Sequence, residues 1–193
     1  MTDGAARRRR NPEQTRGAII DALLELLKGG DYNPTTKSIA ARAGVSERSI
    51  FVHFPGRDDL RVAATEVQSD RVEALIARPD PALPLARRVD AVVEQSEAIF
   101  DRQRNPRVLG FLESQSVPGV DARMRLTDKR IRDSLAATFE RELGSGGEID
   151  AELLDLVDAT AGWALRHHLV ERRGLSRADA SAAVRRGLLA LLG

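Results

Sequence analysis

The sequence predicts an all-α protein: an N-terminal three-helix helix-turn-helix domain followed by a larger helical domain. Three observations carry that prediction. Apolar residues make up 42% of the 193, enough for a core, yet aromatics reach only 4%. Ala, Leu, Val and Arg dominate, whereas β-rich chains lean on aromatic and β-branched residues. Apolar positions recur at helical spacing, and where that spacing lapses the chain carries helix start and stop residues.

Residues 1–10 lack apolar periodicity and end in Arg7, Arg8, Arg9 and Arg10, which reads as a flexible basic arm. Asn11 then offers a side-chain cap, Pro12 suits the first helical position and Gln14 the third. Ile19, Ile20, Leu23, Leu26 and Leu27 stripe a first helix, which Gly29 and Gly30 end. Thr35 and Thr36 cap a short second helix over 37–43, which Gly44 breaks. Ser46 caps a third, running to about His53, and Pro55-Gly56 forces a turn. Asp58 and Asp59 sit in the first turn of a fourth helix, favourable for its dipole, with Leu60, Ala64, Val67, Val72, Leu75 and Ile76 as its stripe.

Three prolines within residues 78–84 mark a linker or sharp bend. Beyond it, Leu85, Val89, Val92, Val93, Ile99 and Phe100 mark one helix; Val108, Leu109, Phe111 and Leu112 a short one; and Met124, Ile131, Leu135, Phe139 and Leu143 a longer one, closed by residues 144–147. Residues 150–173 read as one helix, with acids at its start, Arg172-Arg173 at its end and Gly174 as a stop. Ser176 caps a final helix reaching Leu192. The expected organisation is an arm over 1–10, a helix-turn-helix domain over 11–56 and a helical domain over 57–193.

Composition excludes several chemistries. With no cysteine, disulfides, thiolate catalysis and Cys-based metal sites are ruled out. Of the three histidines, His167 and His168 are adjacent and share no helix face, and His53 stands alone, so no metal-ligand cluster is expected. No phosphate-cradling glycine loop or nucleophile elbow occurs. The chain therefore reads as a non-enzyme without cofactor. No stretch approaches the 18 apolar residues that read as a membrane span, and no apolar run follows the arginines as in a secretory signal. A cytoplasmic location is expected. Net charge is only +1, but it is unevenly spread: residues 1–57 hold ten basic and six acidic residues, an excess of four, and the remainder is net negative by three. That asymmetry suits an N-terminal module that meets phosphate.

Two short helices joined by a tight glycine turn form a helix-turn-helix. Ala40 must be small because the next helix crosses close to it, Gly44 can take a left-handed turn, and Val45 and Ile50 must be apolar to hold both helices to the first. An ordinary helical hairpin meets the same spacing. The longer string TTKSIAARAGVSERSIFVHFPGRDDL narrows the choice, because it resembles the signature of TetR-type bacterial transcriptional regulators. The resemblance covers about residues 12–65 and rests on Thr35-Thr36, Ile39-Ala40, Ala43-Gly44-Val45-Ser46, Ile50-Phe51, His53-Phe54 and Leu60.

The resemblance implies that the third helix enters the major groove of double-stranded DNA with Glu47, Arg48, Ser49 and Val52 exposed. Arg48 can bond both acceptors of a guanine edge, a phosphate contact being its other reading. Glu47 either accepts from cytosine or merely favours the helix N-terminus. Thr35, Thr36, Ser46, His53 and Arg57 lie where the family contacts phosphates, and Lys37 joins that set. Thr36 and Ser46 have a second reading as caps, and His53 as a ring packed beside Phe54. Phe51 stands where the family often has Tyr; without a hydroxyl it reads as a packing residue. The basic arm lies along the minor groove or is a solvated tail.

The resemblance also implies a homodimer through helices of about 150–173 and 176–192, whose apolar or small residues cover several sides. It implies a small-molecule effector in the second domain, with Phe100, Phe111, Met124, Trp163 and His167 as candidate lining residues. Glu113 reads as a surface acid or the partner of a cationic ligand. The expected function is a repressor released from a palindromic operator when an effector tilts the fourth helix. An activator or an architectural DNA-binding protein is the alternative.

Overall fold

The computed structural model describes residues 11–145 and 148–193. The arm expected over 1–10 and Gly146-Gly147 lie outside the described residues. The chain forms α1 (Pro12–Lys28), α2 (Thr36–Ala43), α3 (Glu47–His53), α4 (Arg57–Glu73), α5 (Leu85–Ser114), α6 (Pro118–Thr138), α7 (Glu140–Leu143), α8 (Ala151–Ala161), α9 (Trp163–His167) and α10 (Arg177–Leu192). A wider π turn, His168–Arg172, extends α9. The all-α class holds. Among the described residues the extended pairing is confined to β1 (Gly144–Ser145) against β2 (Glu148–Ile149), antiparallel in the connection from α7 to α8. No described helix is long and apolar enough to cross a membrane.

The start signals act as expected. Asn11 accepts from the Glu13 amide at 3.2 Å, Thr35 from Ser38 at 3.1 Å, Ser46 from Ser49 at 3.1 Å, Asp150 from Leu153 at 3.0 Å and Ser176 from Asp179 at 3.1 Å. Each satisfies a backbone N–H that the first helical turn leaves unpaired. Gly44 ends α2 at φ 66°, ψ 37°. That left-handed turn lets the Val45 amide reach back to the Ala40 carbonyl at 3.0 Å, closing the helix end and setting the angle between α2 and α3.

Several helices differ from the sequence reading, each for a tertiary reason. The patterns around Leu85 and Val108 are one 30-residue helix, α5, that runs through Pro106. Proline removes the donor that would bond the Arg102 carbonyl. The Gln68 side-chain amide of α4 takes that place, donating to the Arg102 carbonyl at 2.9 Å. Gln68→Ala is expected to lower stability by about 0.5–1.5 kcal/mol, and by less in a Pro106→Ala background, where a backbone N–H returns. A double-mutant cycle by urea unfolding checks this.

The helix read over 150–173 breaks at Gly162, which is extended at φ −72°, ψ 164°. The break frees the Ala161 carbonyl, and Ser96 Oγ of α5 donates to it at 2.6 Å. The segment read from Met124 to Leu143 divides at Phe139 into α6 and α7. α4 ends at Glu73, so Leu75 and Ile76 lie beyond it.

Two large apolar cores result, with a small third cluster of Val117, Val120 and Met124. The head core joins Ile19, Leu23, Leu27, Ile39, Ala40, Ile50 and Phe54 with Leu60, Ala63 and Ala64 of α4. The body core joins Val89, Val92 and Val93 of α5 with Leu135, Phe139, Leu154, Val157, Val184 and Leu188. α4 thus roots in the head, while its far end meets α6: Arg123 bonds Asp70 at 2.7 Å and Glu73 at 2.6 Å. Two arginines are buried in the body. Arg88 bonds both Glu142 oxygens and the Thr138 carbonyl. Arg166, 1% exposed, bonds Ser181 at 2.9 Å and Ser96 and the Val93 carbonyl at 3.3 Å.

Candidate nucleic-acid interface and ligand cavity

α2 and α3 are held from behind, so their outer faces stay free. Ile39, Ala40 and Ala43 bury one side of α2, and Ile50 with Phe54 the inner side of α3. Arg16 lies over the Phe54 ring at 4.8 Å. On the outer side Glu47 and Arg48 are exposed in the first turn of α3. Ser49 is half-buried, with its hydroxyl 2.9 Å from that of Ser46.

Other head arginines are engaged: Arg42 with Glu25 at 2.7 Å and Arg57 with Asn33 at 2.8 Å. Arg48, by contrast, has no hydrogen bond or ion pair among the described residues, and neither has Lys37 at the start of α2. Thr35 is exposed and caps α2; Thr36 and His53 are half-buried. The structure therefore brings Thr35, Thr36, Lys37, Ser46, Glu47, Arg48 and Ser49 together at the N-termini of two adjacent helices, where backbone N–H groups and the dipoles favour anions. His53 closes α3, and Arg57 opens α4.

Phe51 corrects the sequence reading. It is 58% exposed and stands beside Val52, which is 71% exposed. It is not a packing residue, because Ile50 and Phe54 already fill the inner side of this 7-residue helix. α3 thus presents an arginine, a carboxylate and two apolar side chains on one outward face, the set of groups that can meet base edges and thymine methyls in a major groove.

In the body, Trp163 gathers three of the other four candidate lining residues. It lies 6.2 Å from Phe100, 5.7 Å from Phe111 and 4.4 Å from His167, on which it stacks. A cavity of about 240 Å³ adjoins it, lined by Phe111, Trp163, Ile99, Gln103, Arg107, Asp128 and Asp158 among others. Arg107 bonds Asp128 at 2.8 Å and lies over the Phe111 ring at 4.9 Å. Burial pushes the Asp158 carboxyl up, opposed by Arg132, whose Nη1 is 3.8 Å away.

Met124 is not part of this group. It packs with Val117 and Val120 and lines a smaller cavity of about 70 Å³ between α1 and α4 on one side and α5 and α6 on the other. Glu113 is likewise not a surface acid. It is 8% exposed and bonds Arg61 of α4 at 2.6 Å. Burial raises its carboxyl, and the Arg61 charge opposes that. The burial of Glu113 carried no signal in the local sequence, because it follows from α4 crossing α5.

Three helices, the outer one carrying an arginine without a partner among the described residues, joined by a fourth helix to a helical body, have the architecture of helix-turn-helix DNA-binding regulators. Within that class, residues 19–64 match the family model for bacterial regulatory proteins, tetR family. Residues 19–64, from within α1 to the first half of α4, thus form a helix-turn-helix segment of the tetR-family type. The chain is 27% identical over 135 residues to the nucleoid occlusion factor SlmA of Pectobacterium carotovorum subsp. carotovorum (strain PC1), a match covering 65% of this chain. The match spans 61% of that protein's length. Two solved structures share the fold across the chain. A transcriptional regulator from Rhodococcus sp. Rha1 superposes with a TM-score of 0.72 at 22% identity, covering 95% of this chain and 96% of the other. The TetR-like regulator LfrR from Mycobacterium smegmatis, in complex with proflavine, gives 0.64 at 22% identity, covering 94% and 97%.

Proposed function

We propose that the chain is a homodimeric repressor that leaves a palindromic operator when a small molecule occupies its body. The observation that carries the reading is the outer face of α3: Arg48 unpaired, with Glu47, Phe51 and Val52 exposed beside it. Thr35, Thr36, Lys37, Ser46, Ser49, His53 and Arg57 position the head on phosphates, and Arg48 reads a guanine. One head reads too few bases for good specificity, which two heads on a two-fold axis remedy. The faces offered for that axis lie on α8 and α10, where Leu156, Ala159, Ala182 and Ala190 are at least partly exposed. The division into arm (1–10), head (11–56) and body (57–193) follows, with α4 as the rod between head and body. The complex of LfrR with proflavine and the aromatic cavity at Trp163 support an effector site.

Footprinting on DNA upstream of neighbouring genes tests the reading. Protection confined to a palindrome, and a reporter that rises when the protein is deleted, is the expected result. Protection spread along DNA without a preferred site would favour an architectural role, to which the likeness to a nucleoid occlusion factor points. Falling reporter output would mark an activator. A finer expectation concerns Phe51 and Val52. Replacing thymine by uracil in the half-site removes only a methyl, worth about 0.8 kcal/mol when fully buried. Binding is expected to weaken about threefold at one or two positions, and the Phe51→Ala, Val52→Ala double variant should lose that difference in fluorescence anisotropy titrations.

A further inference from the structure

Gln103 of α5 is 5% exposed, yet its side-chain amide has no hydrogen-bond partner among the described residues. It lines both cavities: the one beside Trp163 and the smaller one beneath the head. Arg107, one turn further along, also lines both, and its Nε is buried without an acceptor. The indole N–H of Trp163 is buried and unpaired as well. Buried polar groups in folded proteins are nearly always satisfied, and an orphan is destabilising. Two such atoms, together with the partnerless Gln103 amide facing both cavities, mark a place that a ligand completes.

The two compartments differ in character. The upper one, at about 240 Å³, exceeds the roughly 150 Å³ cavity known to accept a benzene ring, and it carries the Phe111 and Trp163 rings. The lower one is walled by Leu23, Leu24 and Leu27 of α1, Leu60 and Ala64 of α4, and Met124. Whatever enters it touches the head.

We propose that the two cavities form one site for an elongated, uncharged amphiphile: an aromatic ring beside Trp163, a carbonyl-type polar group at Gln103 and Arg107, and an aliphatic tail beneath α4. This rests on the effector reading above and deepens it. Gln103 donates to the carbonyl, as Arg107 Nε does once it turns toward the ligand. The tail presses between α1, α4 and α5, so the ligand acts on the head by direct contact. Arg107 is already neutralised by Asp128, so an anionic group gains little there.

Methyl, butyl and hexyl esters of 4-hydroxybenzoic acid carry these three parts with a graded tail. Trp163 is the chain's single tryptophan, so its emission reports occupancy of the upper cavity directly. All three esters should change Trp163 emission, with affinity rising on the order of threefold per added methylene until the lower cavity is full. Only the longer esters should release the protein from its footprinted operator duplex. Gln103→Leu should keep or raise thermal stability, since the amide has no partner to lose, while weakening butyl ester binding about tenfold. Equal affinity for methyl and hexyl esters would overturn the two-compartment site while leaving the effector reading intact. Binding of proflavine but of no ester would overturn it in favour of aromatic cations facing Asp158. No change of Trp163 emission with any of these probes would overturn both the inference and the effector reading at this cavity.

Discussion

Glu142→Ala is expected to lower the stability of the fold by about 3–5 kcal/mol, the range for stripping one partner from a buried ion pair, read as a shifted urea midpoint. Arg88 is 2% exposed. Its guanidinium bonds both Glu142 oxygens, at 2.7 and 2.5 Å, and the Thr138 carbonyl at 2.7 Å. Its Nε bonds the Leu83 carbonyl at 3.0 Å, and the Phe139 ring lies 5.8 Å away. Removing the carboxylate leaves the charge with backbone carbonyls only. An exposed pair such as Lys129–Asp133 on α6 should by contrast contribute only about 0.3–0.5 kcal/mol. Replacing both members, as Arg88→Met with Glu142→Leu, should recover much of the loss, because no buried charge remains.

The same pair sets an acid dependence. The hydrogen bond from Arg88 holds the Glu142 carboxyl below its ordinary value of 4.5, against the opposing effect of burial. The folded state therefore binds this proton less readily than the unfolded chain does. The resulting stability is fully present above the ordinary glutamate value and is lost as pH falls through the depressed one. Glu142→Gln should flatten the acid limb of the stability profile in that window and leave the neutral range parallel to wild type.

Arg48→Ala is expected to weaken operator binding by about 1–3 kcal/mol, some 5- to 150-fold, and to relax preference at a single base position. Arg48 stands in the first turn of α3, exposed and without a partner among the described residues. Its substitution breaks no hydrogen bond or ion pair in the folded head, so thermal stability should be unchanged. Lys37→Ala supplies the contrast. Removing a phosphate-neutralising charge there should weaken all sequences alike and reduce the salt slope of log affinity by about 0.9. A uniform drop in affinity for Arg48→Ala across every sequence would reassign Arg48 to the backbone.

The head is legible in the sequence because its signals are local. Thr35 and Ser46 cap the helices they precede, and Gly44 adopts the left-handed turn that the spacing requires. Phe51 is not legible in the same way: sequence shows that a ring lacks a hydroxyl but not that Ile50 and Phe54 already fill the inner side of α3. In the body the deciding interactions are distant. Whether Pro106 ends a helix depends on Gln68, 34 residues from the Arg102 carbonyl it satisfies. The freed carbonyl at the Gly162 break depends on Ser96, 65 residues from Ala161. Arg88, Arg166 and Glu113 are residue types that are usually exposed, and only the crossing of helices buries them. The ring cluster at Trp163 is partly legible, since Trp163 and His167 lie four apart on one helix face. Met124 shares the apolar character of that cluster, but it faces the other cavity.

The most direct test of DNA reading by α3 is selection of bound duplexes from a random-sequence library by the full chain at one fixed salt concentration, in parallel with Arg48→Ala. The predicted result is a single enriched motif with two-fold symmetry, its half-sites about 34–36 Å apart or a multiple of that, with a guanine in each half-site whose preference the variant loses. Enrichment of no sequence, or of a motif that Arg48→Ala leaves unaltered at every position, would contradict it.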